Sequence, residues 1–262
     1  MIEDIISGLI VGILLLLIEQ LLIPTSEKSV KTTKPIEIIE SKKFIIKEKV
    51  VYKSGTSNDD SNLLIFFIAI FMGVALVNYI KYYNLIHFIV IFMSTAIGIM
   101  AVGMAGVCIR RGLRFRKDLN IMLVFNILSI VAVPFLVWQA RNASEGRKVD
   151  IELLKVQITQ TEKISVFGDI STSFFLIYQI IGLAIIVIYM LSALISNIYL
   201  VSLINLNLSS KLRGMWEFLN RNTYKMASRP VNTIAVGIIF LVLGYLMVSG
   251  IMLDILTSQT IG

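Results

Sequence analysis

The sequence predicts an all-α polytopic membrane protein with six transmembrane helices and small β-like appendages on both sides of the membrane. The first observation behind this class is hydropathy. Hydrophobic residues make up 56% of the 262 positions, and they gather in blocks near the ~20 apolar residues with which a helix crosses ~30 Å of hydrocarbon. The six blocks are 5–23, 63–80, 85–108, 119–138, 174–208 and 231–253.

The second observation is the placement of positive charge. Of the 24 Lys and Arg residues, 18 lie in the gaps 25–62, 109–118 and 209–230, and the other 6 lie in the alternate gaps. Because cytoplasmic loops of membrane proteins are enriched in Lys and Arg, these three gaps are predicted to be cytoplasmic and both termini to lie outside. The expected location is the bacterial inner membrane, which the chain crosses several times.

The first helix, within 1–24, is followed by a Lys-rich cytoplasmic segment over 25–62. Apolar and polar residues alternate from Ile36 to Tyr52, which predicts two short strands around 40–43. A two-stranded hairpin is marginal alone because its apolar face needs another surface. It is therefore predicted either to pair with the same hairpin in neighbouring subunits or to dock on its own chain.

The fifth block is too long for the bilayer. Helices two to four occupy 63–138, and an outer loop over 139–173 is predicted to form a small cap of strands or short helices. The block 174–208 that follows would reach about 52 Å as a straight helix at ~1.5 Å per residue. We expect this helix to tilt or to extend into the cytoplasm, where Ser202 and Asn205 share a face toward a vestibule or a partner helix.

The gap 209–230 is predicted to be a basic amphipathic helix, which precedes the sixth helix and outer tail in 231–262. Leu212, Met215 and Trp216 share one helical face, an arrangement typical of a helix lying on an anionic membrane surface. A helix packed on the protein's own inner surface is the alternative.

The cations of the two later cytoplasmic gaps are candidates for binding an anionic ligand or lipid headgroups. Clustered arginines suit this role because a guanidinium group binds phosphate with two parallel hydrogen bonds. The candidates are Arg110, Arg111, Arg114, Arg116, Lys117, Lys211, Arg213, Arg221, Lys225 and Arg229.

Polar residues inside the predicted spans are candidates for pore lining or gating, with interhelical hydrogen bonding as the alternative. A ring of Glu19 carboxylates in an oligomer would favour cations, although snorkelling to the interface would also satisfy Glu19. The other pore or gating candidates are Asn126, Ser192, Ser196, Ser202 and Asn205.

Small residues at helix-packing positions predict close association of helices, within one subunit or between subunits. In lipid, helices associate by close approach rather than by a hydrophobic force, so small residues concentrate where they touch. The candidates are Gly8 and Gly12 in span one, Gly98 in span three, and Gly237 and Gly244 in span six.

No catalytic constellation can be assembled from the sequence, so the chain is predicted not to be an enzyme. It contains one histidine, His87, and one cysteine, Cys108, which leaves no metal-binding or redox motif of these residues. No cofactor or metal is expected.

The layout of the N-terminal part, with Gly8, Gly12, Pro24 and the alternating segment from Ile36 to Tyr52, resembles the small multispan membrane effectors of bacterial anti-phage defence systems. The resemblance covers the chain from Met1 to Ile80 and carries over no functional residue. It implies an oligomeric membrane protein that opens or disrupts the bilayer of an infected cell under the control of a cytoplasmic signal or partner.

The leading functional prediction is a homo-oligomeric channel or pore-forming effector in the lipid bilayer. It would be gated at its basic cytoplasmic face by an anionic ligand, such as a nucleotide or oligonucleotide, or by a partner protein. The alternative is a membrane anchor or sensor that recruits a soluble cytoplasmic partner. A small-solute transporter is third, because no inverted repeat and few buried charges are present.

Overall fold

The computed structural model describes residues 36–37, 59–161, 170–207, 212–227 and 229–259. The first predicted span and most of the Lys-rich segment lie outside the described residues. The predictions for Gly8, Gly12, Glu19 and Lys211 therefore remain predictions.

The described parts form eight helices and two short strands. In chain order these are β1 (Ile36–Glu37), α1 (Asp59–Lys81), α2 (Tyr83–Arg111), β2 (Leu113–Arg114), α3 (Lys117–Gly146), α4 (Ile151–Thr161), α5 (Ile170–Asn207), α6 (Arg213–Ala227), α7 (Pro230–Val248) and α8 (Ile251–Gln259).

Four of the helices are long and apolar enough to cross a membrane. They are α2, α3, α5 and α7. The structure therefore confirms a mostly helical chain with four such helices, whereas six spans stay a prediction. In α1 the apolar helix with described side chains is only Ile70–Lys81, and the first block is not described.

Neighbouring long helices run antiparallel, because the start of one lies beside the end of the next. Tyr83 of α2 lies 3.4 Å from Ser144 of α3, and Gln179 of α5 donates to the Ala140 carbonyl of α3 at 2.7 Å. Gly244 of α7 lies beside Ile186 of α5, and the next contact in each pair confirms the direction. In the α2–α3 pair, Ser94 donates to the Ser129 carbonyl at 2.7 Å. In the α3–α5 pair, Asn126 lies beside Asn197, and in the α5–α7 pair Gly182 lies beside Val248. Consequently α2 and α5 end at the same end of the bundle at which α3 and α7 begin. We call this the basic end, because it carries the cations of 110–117 and 213–229.

Two hydrophobic cores hold the bundle together. The larger one joins α1, α2, α3, α5, α7 and α8, and buries Leu76, Ile186 and Val248 almost completely. The second lies at the basic end, where β2 and the last turn of α6 join α2, α3 and α5 around the fully buried Tyr199 and Leu200. Each helix thus keeps one packed side, and the remaining apolar surface faces outward.

Helices approach each other closely where a glycine, which has no side chain, lies at the contact. A Cβ placed on Gly98 of α2 would lie 1.8 Å from Cγ1 of Ile130 on α3. On α7, a Cβ on Gly237 would lie 2.8 Å from the Phe125 ring, and one on Gly244 would lie 2.8 Å from Ile186. Because no real Cβ approaches this closely, glycine sets the spacing of these helices.

The predicted strand segment pairs with a distant part of the chain. Ile36 and Glu37 form a parallel ladder with Leu113 and Arg114, so β1 docks on the loop between α2 and α3. The choice between docking of the predicted hairpin on its own chain and its pairing between subunits stays a prediction. The second strand of the predicted hairpin lies outside the described residues.

Candidate functional site

The loop between α2 and α3 presents cations from a buried support. Gly112 takes a left-handed conformation with φ 63° at the end of α2, which favours glycine and turns the chain into β2. Leu113 and Phe115 are then buried at 5% exposure each, while Arg114 and Arg116 between and after them are exposed. The alternation fixes the loop on the core and points its arginines outward.

Helix α6 presents three different faces. Trp216 and Asn220 are buried against the end of α5, and Asn220 donates to the Ser202 hydroxyl at 3.0 Å. A second face exposes Met215 and Phe218, and a third exposes Arg213, Glu217 and Arg221. The single apolar face predicted around Trp216 is therefore split, because Trp216 packs on the protein while Met215 remains outside.

Most cations at the basic end have no carboxylate partner. Arg116 pairs with Asp118 at 2.6 Å, and Arg213 pairs with Glu217 at 2.9 Å. Among the side chains that the structure describes, no ion pair includes Arg110, Arg111, Arg114, Lys117, Arg221 or Arg229. The side chain of Lys225 is not described. The unpaired set leaves a surface with excess positive charge.

A groove opens between α5 and α7 beside this surface. Its volume is about 490 Å³. Five apolar side chains form its walls, namely Ile188, Leu191, Ile195, Val236 and Phe240. Four polar residues also line it, namely Ser192, Arg229, Asn232 and Thr233, and the last three belong to the start of α7 and the residue before it. We call this the α5–α7 groove.

The polar pore candidates of α3 and α5 bond within one chain. Asn126 donates to Asn197 Oδ1 at 2.8 Å, and Asn197 donates to the Ile97 carbonyl at 2.9 Å, so one buried set of bonds joins α2, α3 and α5. Ser196 donates to the Ser192 carbonyl at 2.9 Å.

The two remaining candidates lie at the α5–α6 contact. Ser202 accepts the bond from Asn220. Asn205 is buried, and its Oδ1 has no partner among the described atoms. Only Ser192 of the described candidates lines the α5–α7 groove. A role of these residues in a pore stays a prediction.

A second buried polar cluster lies at the opposite end of the bundle. Arg141 Nε donates to His87 Nδ1 at 3.4 Å, His87 Nε2 lies 3.2 Å from the Tyr79 hydroxyl, and that hydroxyl donates to Gln179 Oε1 at 3.2 Å. Arginine only donates, so this chain fits a neutral His87 with its proton on Nε2. Each of these three bonds then joins a donor to an acceptor, which makes the cluster a structural tie among α1, α2, α3 and α5.

Sequence reasoning identified His87 but missed its partners. Gln179 lies 100 positions from Tyr79, and no spacing rule connects them. One feature of the sequence could have indicated the cluster. Each of these polar residues lies near the predicted outer boundary of the membrane. In the described ranges, no group of three or more His, Cys, Asp and Glu residues is placed to hold a metal ion.

The comparisons with known proteins return no relatives. No protein-family model matches the chain, and no curated protein or solved structure is similar to it. The fold and the site define the class only as a helical protein with four apolar helices of membrane-spanning length. Its basic end carries six cations with no ion-pair partner among the described side chains.

Proposed function

We propose that the protein is a multispan membrane sensor or effector that recognises an anionic ligand through its basic end, on the cytoplasmic side. One observation carries this proposal. Cations of the α2–α3 loop and of α6 project from buried supports, and Asp118 and Glu217, the carboxylates of these elements whose side chains the structure describes, are already paired. Glu37 lies in register with Arg114 in the β1–β2 ladder, and its side chain is not described.

The chemistry of this surface suits phosphate. Guanidinium groups bind phosphate oxygens with charge-assisted hydrogen bonds, and two such groups on a fixed loop hold a multivalent anion better than mobile side chains do. Arg110 and Arg114 lie on either side of the Gly112 turn, with Leu113 buried between them. The ligand class is therefore a polyphosphate, a nucleotide or an oligonucleotide.

Binding of tripolyphosphate and of a nucleoside triphosphate to the purified protein in neutral-lipid nanodiscs tests the proposal. The variant Arg110→Gln/Arg114→Gln should lose about tenfold or more in affinity. The matched control is Lys148→Gln/Lys155→Gln, which removes equal charge at the opposite end. Equal binding by the two variants and the wild type would reject an anion site at the basic end.

A homo-oligomeric channel is the second candidate output of such a sensor, and one observation favours it. Gly103 and Gly106 lie on the exposed side of α2, and an added Cβ on either meets nothing within 4 Å. This leaves a shallow outward strip at which a helix of a second copy can approach closely.

Ligand-dependent conductance in liposomes, together with the mass of the particle, separates the possible outputs. A channel should conduct as an oligomer and lose conductance in Gly103→Leu/Gly106→Leu. An anchor should recruit a soluble partner through 35–53 with no ion flux. A single-copy particle that is silent with every tested anion would remove the channel.

A further inference from the structure

We infer that the α5–α7 groove is a binding site for an anionic phospholipid, with the phosphate at Arg229 and an acyl chain along the apolar walls. The inference rests on the membrane placement in the proposed function. It concerns a different part of the basic end from the loop that carries Arg110 and Arg114.

The order of the lining residues matches an amphiphile. Arg229 directly precedes α7, and Asn232 and Thr233 lie in its first turn. Val236 lies about one turn beyond Asn232, and Phe240 lies about one turn beyond Val236. The polar part therefore lies toward the basic end and the apolar part toward the middle of the bundle. The volume of about 490 Å³ is within the range of ~300–1,000 Å³ that is usual for small-molecule sites.

The depth of the groove also matches a lipid. Helix α7 has 19 residues and is therefore about 28 Å long, close to the ~30 Å of a hydrocarbon core. When Val248 lies at the far boundary of this core, Arg229 lies near the headgroup level of the basic side. The walls formed by Leu191 and Val236 then face the acyl region.

Charge selects an anionic headgroup. Arg229 is exposed, and among the described side chains it has no carboxylate partner. A guanidinium at the headgroup level gains charge-assisted hydrogen bonds from a lipid phosphate and a further attraction from a net negative headgroup. A free phosphate would leave the apolar walls without a partner, so the groove as a whole fits a lipid.

Retention of lipid by the full-length protein tests the site. The protein is extracted from vesicles with equal amounts of phosphatidylglycerol and phosphatidylethanolamine, and retained lipid is counted by native mass spectrometry. We expect the wild type to retain phosphatidylglycerol preferentially. Arg229→Gln should lower its occupancy about tenfold or more, and Val236→Trp should do the same by obstructing the apolar part of the groove with no change of charge.

The matched control is Lys148→Gln, which removes an exposed cation outside the groove, at the opposite end of the bundle. It should change occupancy by no more than about twofold, because an exposed charge contributes little by itself. All variants are first compared with the wild type in elution volume and melting temperature. If Arg229→Gln fails to fold, Val236→Trp and Arg229→Lys take its place.

Three results would overturn the inference. These are equal retention of the two lipids by the wild type, equal loss in Lys148→Gln and Arg229→Gln, and a lipid-free dimer that Val236→Trp dissociates. Excess tripolyphosphate should not displace the retained lipid. Failure of the lipid site would leave tripolyphosphate binding intact in Arg229→Gln, whereas failure of the proposed function would appear in Arg110→Gln/Arg114→Gln.

Discussion

Replacement of the buried Asn197 by leucine should strongly lower the free energy of unfolding of the bundle. Asn197 accepts a bond from Asn126 at 2.8 Å and donates one to the Ile97 carbonyl at 2.9 Å, and Asn126 and Asn197 are both buried. Interhelical hydrogen bonds in membrane proteins contribute ~0.6 kcal/mol on average, so two bonds account for about 1 kcal/mol. The stranded Asn126 amide adds about 1–3 kcal/mol, which gives about 2–4 kcal/mol in total.

The double variant Asn126→Leu/Asn197→Leu provides the decisive comparison. It loses the same two bonds but strands no side-chain amide, so its unfolding free energy should fall by less than the sum of the two single variants. Unfolding in bicelles, measured by steric trapping, gives all four free energies under one condition. A loss below about 0.5 kcal/mol for Asn197→Leu, or strict additivity in the double variant, would show that the network does not hold the three helices together.

Four other variants test three separate contacts by the same unfolding assay or by hydrogen exchange. Gly98→Ala should cost about 1–3 kcal/mol by overpacking against Ile130, whereas Gly106→Ala, which has open space, should stay within about 0.5 kcal/mol; equal effects would contradict the packing. Tyr79→Phe should cost about 1–3 kcal/mol because it leaves two buried groups without their bridge, and a neutral result would show that the cluster is not needed. Arg147→Gln removes the ion pair to α8, so amide exchange should rise in 251–259 and not in α6 at the opposite end; unchanged exchange in 251–259 would refute this anchor.

The four long helices were predictable because lipid imposes a single requirement. Backbone groups in hydrocarbon must bond within their own segment, and long apolar blocks satisfy this only as helices. The predicted block 85–108 accordingly appears within Tyr83–Arg111, and 119–138 appears within Lys117–Gly146. Each helix extends beyond its apolar block because backbone hydrogen bonds continue past the block at both ends. Hydropathy does not report these bonds.

The contacts between helices were less predictable, because they depend on which side of each helix turns inward. The face of α6 shows this. Periodicity groups Trp216 with Met215, but the position of α5 decides that Trp216 is buried at 6% exposure and Met215 remains 41% exposed. The partners Asn126 and Asn197 are 71 positions apart, and only the tertiary fold brings them together.

The uninterrupted length of α5 has a mechanical consequence. Its 38 residues contain no proline, and at ~1.5 Å per residue they form a continuous helix of about 57 Å. Near one end of α5, Ser202 accepts a hydrogen bond from Asn220 of α6. Near the other end, Gln179 donates to the Ala140 carbonyl of α3 at 2.7 Å. A stiff helix held at both ends tilts without bending, so a displacement of α6 should move the opposite end of the bundle through a tilt of the whole of α5.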